Sequence, residues 1–396
     1  MGNRQFLGRS VWAGWAVCGL LAASACTAGA TKDAGAPESA DEPIALTPNV
    51  QPGETDIAVS TRVKVIAEDG KVTSGSLQTA DGATSIASRI DDHGWTARER
   101  LEPGTSYKLK VTGTGDDGKD DTVTRSFTTQ QLTLDQQTYP SVAPLAGETV
   151  GVGMPVIVRF DLPVKNRALY ERHMAVTTDK DVEGSWTWLS DSEAHYRPKQ
   201  YWPANTKVNV RLRLNSLPAG GGVYGQQDQD VSFKVGRKAV TVVDVAKHRL
   251  RYTVDGKTIR RIPVTTGDDG HRTREGIKVI MEKFSSIDMD AATTGVDSED
   301  PGYYNIADVR WAMRVTNSGE FLHAAPWSVG SQGVANVSHG CTGMSTADAK
   351  WLYDRSRRGD VIKYVNSPRT LEDRNGWTDW NVSWRDWVAG SALQTS

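Results

Sequence analysis

Cysteine is scarce in this chain: Cys18, Cys26 and Cys341 are the only three in 396 residues. That excludes a small scaffold built on disulfides. Charge of one sign is lacking too, since 46 Lys plus Arg face 48 Asp plus Glu for a net charge of −2, without long like-charged blocks. No nucleic-acid footprint follows from such a balance. The uncharged run from Val11 to Ala25 is too short to span a bilayer. Thirteen tryptophans, 38 glycines and many Thr and Val residues point to β-rich, turn-rich architecture rather than helical bundles. The length suggests about three domains.

The N-terminus reads as an export signal over residues 1–25, with Arg4 and Arg9 ahead of the apolar run and Ala23-Ser24-Ala25 as a small-residue cleavage site. Cys26 follows directly, and the segment LAASAC resembles a bacterial lipobox, with Ala23 where Leu is more usual. Cys26 is therefore the expected lipidation site. The protein is expected on the outer face of the cell membrane, lipid-anchored and reaching into the cell wall. Residues 26–43, rich in Ala, Gly, Ser, Pro and acids, read as a disordered tether. Cys18 leaves with the signal and Cys26 carries lipid, so Cys341 is left as a lone thiol in a disulfide-permissive compartment.

Residues 44–131 show short alternating runs such as Tyr107-Lys108-Leu109-Lys110-Val111, separated by turns such as Asp81-Gly82 and Glu102-Pro103-Gly104. That spacing indicates an immunoglobulin-like β-sandwich. The acidic stretch Asp116 to Asp121 lacks EF-hand spacing and reads as a hairpin tip. Residues 132–235 repeat the theme as a second sandwich. Glu102-Pro103-Gly104 and Trp202-Pro203-Ala204 occupy matching places before a late strand, so the two domains look like diverged copies. His93, His173 and His195 fall singly and read as surface or core-edge residues. A third unit spans 236–366 and opens with a three-strand meander. One helix is expected from Ser345 to Arg358, with Ser345 as N-cap and Ala349, Leu352 and Tyr353 as its apolar stripe. The extension 367–396 carries Trp377, Trp380, Trp384 and Trp387 on one face. Packing of these indoles against the neighbouring domains is expected, with a glycan-stacking platform as the alternative.

The chemistry lies in Phe321 to Asp348. His323 stands eighteen residues before Cys341, and His339 two residues before it, across an interval rich in small residues. Cysteine catalysis needs a thiolate, a base, a group that orients the base, and donors for the oxyanion. Gly330, Gly333 and Gly340 let the intervening loop fold back so that His323 and Cys341 can meet. Cys341 just before a helix N-terminus is placed where the dipole favours a thiolate.

His323 together with Ser338-His339-Gly340-Cys341 resembles the active-site motif of the L,D-transpeptidases, the YkuD-type cysteine enzymes that cross-link bacterial peptidoglycan. The likeness covers residues 236–364, and the tether, two immunoglobulin-like domains and Trp-rich tail are similar to the actinobacterial members. The resemblance implies Cys341 as nucleophile and His323 as base, oriented by the Ala324 backbone carbonyl. It implies an oxyanion site from the Gly340 and Cys341 amides with the Tyr303 hydroxyl. A mobile lid would run from Ser285 to Tyr304, with Met289, Trp327 and Asn336 lining the substrate groove and Ser338 and His339 holding the loop beside it. No cofactor and no metal are implied. The implied partners are a tetrapeptide stem as donor, the diamino acid of a second stem as acceptor, and carbapenems as inhibitors of the thiol.

Two positions depart from the family pattern. Gly343 stands where Asn or Arg is common, and Thr273-Arg274-Glu275-Gly276 lacks the proline of a Thr-Pro-x-Gly element. Two rival readings remain beside the transferase. One is an L,D-carboxypeptidase-type wall hydrolase, in which water resolves the acyl-enzyme, and the other a non-catalytic surface lipoprotein with Cys341 buried.

Overall fold

A computed structural model describes residues 42–300 and 303–394. The signal, Cys26 and nearly all of the expected tether lie outside the described residues. Among the described residues no helix is long and apolar enough to cross a membrane.

Residues 45–129 fold into two sheets, one of four strands and one of five. The strand Ser106–Gly115 alternates buried and open positions, as a half-buried strand must when successive side chains point to opposite faces. Trp95, Tyr107, Leu109 and Phe127 meet between the sheets. Gly75 exists for Trp95: a Cβ there would lie 2.3 Å from the indole. The acidic stretch is the tip of the hairpin Ser106–Gly115 to Asp120–Thr129.

Residues 137–235 form two four-stranded sheets and a small three-stranded one around Phe160, Trp186, Trp188, Trp202 and Phe233. A short helix, Arg167–Glu171, has no counterpart in the sequence reading. The apolar core continues into the third unit through Val279 and Val361 and into the C-terminal extension through Trp377. Backbone bonds from Gly151 to Arg358 and from Gly153 to Gly359 fasten this sandwich to the third unit.

The third unit holds a six-stranded sheet and a four-stranded sheet. In the first, Ala239–Asp244 pairs antiparallel with Arg249–Val254 and parallel with Val361–Val365. The second runs Glu282–Asp290, Asn305–Arg314, Phe321–Ala324, Thr342–Met344. The helix Thr346–Arg355 buries Ala349 and Leu352, and its N-cap Ser345 accepts from the Asp348 amide. It ends before the expected Arg358, because Ser356 is already extended. Arg369–Thr370 joins the sheet edge beside Arg274 and Glu275, so the sheet extends past the expected boundary at 366.

The tail spends its indoles on the second sandwich. Trp380 donates to the Gly153 carbonyl at 2.7 Å and Trp387 to the Ser185 carbonyl at 3.0 Å. The Arg197 guanidinium lies 4.6 to 5.4 Å from the rings of Trp380, Trp384 and Trp387. Rings packed this way are not a free platform for sugars. His195, expected near the surface, is buried. Its Nδ1 meets Asp379 at 3.0 Å and its Nε2 meets Glu193 at 2.7 Å. A carboxylate only accepts, so both ring nitrogens donate and the ring is an imidazolium.

Burial pulls His195 down, but the carboxylates, Asp379 foremost, outweigh it and raise its pKa to about 9. A folded pKa above the unfolded value of about 6.5 stabilises fully below that value, and the gain is lost as pH rises toward about 9. Asp379→Asn should therefore lower the melting temperature most near pH 6, with the difference from wild type shrinking by pH 9 to 10. A pH-independent difference in thermal unfolding would contradict this.

Candidate active site

The strand Phe321–Ala324 pairs in parallel with Thr342–Met344, Leu322 opposite Thr342 and His323 opposite Gly343. Alternation puts His323 and Gly343 on one face, and Cys341, two residues before Gly343, opens onto the same groove. This groove has a volume of about 360 Å³ and is walled by Met289, Tyr304, Ile306, Trp327 and His339. A larger, shallower hollow of about 670 Å³ on the second sandwich is lined by neither cysteine nor histidine.

His323 is buried, and its Nδ1 lies 2.8 Å from the Ala324 carbonyl. A carbonyl only accepts, so Nδ1 carries the proton and Nε2 keeps a free lone pair. Burial lowers the pKa of this ring, which holds it neutral and ready to act as a base. Trp327, 57% exposed, stacks on it with centroids 5.9 Å apart.

The Cys341 thiol is also buried, and it donates to the Gly319 carbonyl at 3.5 Å. No hydrogen bond joins it to His323 among the described residues. Burial pushes its pKa up to about 12, and the Phe321 amide and Lys278 pull against that while Glu320 adds to it. The expected help from a helix N-terminus is not realised. The strand Thr342–Met344 intervenes between Cys341 and the helix, and dipole effects fade within a turn. The resting group is a thiol.

Beneath it lies a buried charge cluster that sequence patterning does not reveal. Arg274 meets Glu320 at 3.0 Å, and Lys278, fully buried, donates to the other Glu320 oxygen. The Lys278 ammonium also sits 3.8 Å above the Tyr364 ring, whose hydroxyl bonds the Thr342 hydroxyl at 2.8 Å. Arg274 occupies the position of the missing proline, so that departure supplies an ion pair. Thr273 before it donates to the Gly340 carbonyl at 2.7 Å. Gly343 is equally constrained: a Cβ there would meet Ala325 at 2.9 Å and Thr265 at 3.0 Å.

Several expected site residues sit elsewhere. Asn336 does not line the groove; its oxygen accepts from the Thr266 amide and hydroxyl at 3.1 and 2.8 Å, and its nitrogen donates to the Val245 carbonyl at 3.2 Å. It braces the loop from behind. The Gly340 amide is not free for an oxyanion, since it donates to Ser338 Oγ at 3.2 Å. That hydroxyl in turn donates to the Cys341 carbonyl at 2.6 Å, so Ser338 holds the loop. His339 packs against His271 and Tyr304 with centroids 4.6 and 5.1 Å apart. The groove takes Tyr304 rather than Tyr303. Met289 pairs with Ile306, and Tyr304, two before Ile306, shares its face. The lid is regular for much of its length, as the Glu282–Asp290 strand and a short helical turn at Ala291–Thr294.

A buried thiol beside a neutral imidazole in an apolar groove defines a cysteine acyl-transfer site. The family model for the L,D-transpeptidase catalytic domain matches residues 238–363, and that for a bacterial Ig domain matches 54–218. L,D-transpeptidase 2 of Mycobacterium tuberculosis (strain CDC 1551 / Oshkosh) is 35% identical over 350 residues, 88% of this chain and 85% of that protein. L,D-transpeptidase 5 of M. tuberculosis (strain ATCC 25618 / H37Rv) is 38% identical over 309 residues, covering 76% of this chain and 66% of that one. The solved LD transpeptidase LdtMt1 in complex with imipenem matches with a TM-score of 0.51 at 33% identity, over 57% of this chain and 97% of that one. The chain belongs to the L,D-transpeptidase family and is a transferase of that type.

The tyrosine assignment is open to direct test. If the Tyr304 hydroxyl donates to the developing oxyanion, Tyr304→Phe should slow acylation of Cys341 by about 100-fold, the lower end of the range for loss of one transition-state donor, while Tyr303→Phe stays within about twofold of wild type. Stopped-flow acylation rates decide, and the reverse ranking would return the role to Tyr303.

Proposed function

We propose that Cys341 and His323 carry the 3→3 cross-linking reaction on peptidoglycan stems. His323 Nε2 takes the Cys341 proton as the sulfur attacks the carbonyl that joins the third, diamino-acid residue of a tetrapeptide stem to its terminal D-alanine. The C–N bond breaks, the imidazolium returns the proton to the departing amine, and a thioester remains. The side-chain amine of a second stem's third residue then attacks the thioester. It loses its proton to His323, and the thiol is released. Groove walls from Met289, Tyr304 and Trp327 supply apolar surface beside the thioester. The observation that carries this reading is the parallel pairing of Phe321–Ala324 with Thr342–Met344, which opens base and nucleophile onto one groove.

The thiol also suits β-lactams of the carbapenem class. Ring opening by Cys341 leaves a thioester of the same kind. The N-terminal segment supports export and lipidation at Cys26, which would hold the enzyme on the outer face of the membrane and place the two sandwiches as spacers toward the wall.

Intact mass after incubation with a carbapenem tests the nucleophile. Wild type should gain one adduct and Cys341→Ala none, and an equal adduct on both would refute the assignment. With a tetrapeptide donor, dimer with loss of D-alanine is the expected product. Free tripeptide without dimer would make the enzyme a hydrolase.

A further inference from the structure

A hollow of about 380 Å³ lies between the two sandwiches, far in the fold from the groove of Cys341. Arg62, Arg98 and Arg100 enter it from the first sandwich, and His173 and Arg213 from the second. The walls are held together across the domain boundary. Asn215 Nδ2 donates to Glu102 at 2.6 Å, and the Ser216 hydroxyl donates to the Leu101 carbonyl at 2.6 Å.

The guanidiniums are unequally served. Arg213 has carboxylates, Asp230 at 2.8 Å and Asp228 at 3.8 Å. Arg62, Arg98 and Arg100 have no carboxylate within ion-pair distance among the described residues. Among the described residues Arg62 bonds only to the carbonyls of Ala97 and Arg98. Arg100 is half-buried and donates to His173 Nε2 at 3.0 Å. The His173 Nδ1 proton is fixed on the Leu169 carbonyl at 2.8 Å, so Nε2 is a neutral acceptor. Burial first, and then the like charge of Arg62, lower the pKa of Arg100. The acids that also face the hollow do not cancel this. Glu102 is engaged by Asn215, Asp228 by the Asn215 amide at 2.8 Å and by Arg213, and Glu99 is exposed. Among the described residues the direct partner of this half-buried guanidinium is a neutral imidazole, and Asp228 acts on it only beyond ion-pair distance, so it is short of an anion.

We propose that this hollow binds a phosphoryl group, with Arg62, Arg98 and Arg100 as its ligands and His173 orienting Arg100. Phosphate oxygens match several guanidinium forks at once. The group is either free phosphate or a phosphodiester of an anionic polymer. All three ligands come from the first sandwich, and the second contributes the His173 that holds Arg100. This inference is independent of the catalytic reading.

Isothermal titration of the folded chain at fixed ionic strength tests it, with inorganic phosphate, glycerophosphoglycerol and acetate as probes. Saturable binding of phosphate or of the diester is expected, weakened at least tenfold by Arg100→Gln and severalfold by Arg98→Gln, whose exposed side chain can be changed without harm to the fold. Arg89→Gln, an exposed arginine outside the hollow, should leave binding unchanged. Tighter binding of the diester points to a polymer and tighter binding of phosphate to the free ion. No saturable heat with either, equal binding by acetate, or undiminished binding in Arg98→Gln would overturn the proposal.

Discussion

The parallel pairing of Phe321–Ala324 with Thr342–Met344 is the constraint on which the site depends. Parallel neighbours cannot be joined by a tight turn, and here seventeen residues make the crossover. That loop needs support from outside itself. Thr265 and Thr266 supply it, through the Thr265–Gly343 bridge and the bonds to Asn336. Thr273 holds the Gly340 carbonyl. The sequence SHGC is therefore a shape as much as a set of reactive groups: serine closes the turn, glycine takes φ +116°, and the cysteine follows with its direction fixed.

Burial, more than the charge cluster under it, keeps the Cys341 thiol neutral. Glu320 raises the cost of a thiolate and Lys278 lowers it, while burial dominates both. A thiol held neutral in an apolar pocket resists stray oxidants and electrophiles, since the thiolate is the reactive form. In the proposed reaction it is armed when His323 takes its proton. Burying Lys278 and Glu320 is costly in itself, and their pairing with each other and with Arg274 offsets that cost.

The architecture and the meeting of His323 with Cys341 on one groove were legible because they rest on local signals: alternation, turn residues, and a motif of contiguous residues. What escaped reading depends on long-range packing. Tyr303 and Tyr304 are adjacent, and only the strand register that pairs Met289 with Ile306 tells which faces the groove. Asn336 is loop-borne and polar like a binding residue, yet its partners at Val245 and Thr266 lie 91 and 70 residues away. His195 looked like an edge residue because its partner Asp379 is 184 positions downstream. Gly343 read as a lost contact in sequence. In space it is the residue that Ala325 and Thr265 leave room for.

The claim that Cys341 rests as a neutral thiol and is armed only by His323 is tested most directly by its alkylation rate with iodoacetamide from pH 6 to 10, read by mass on wild type and on His323→Ala. The account predicts slow reaction at pH 7 and a rate still climbing at pH 10, above the roughly 8.5 at which an ordinary thiol is half ionised. Carbapenem acylation in the same samples should be fast at pH 7 and lost in His323→Ala. A rate of alkylation that levels off below pH 8 would reveal a preformed thiolate and contradict the account.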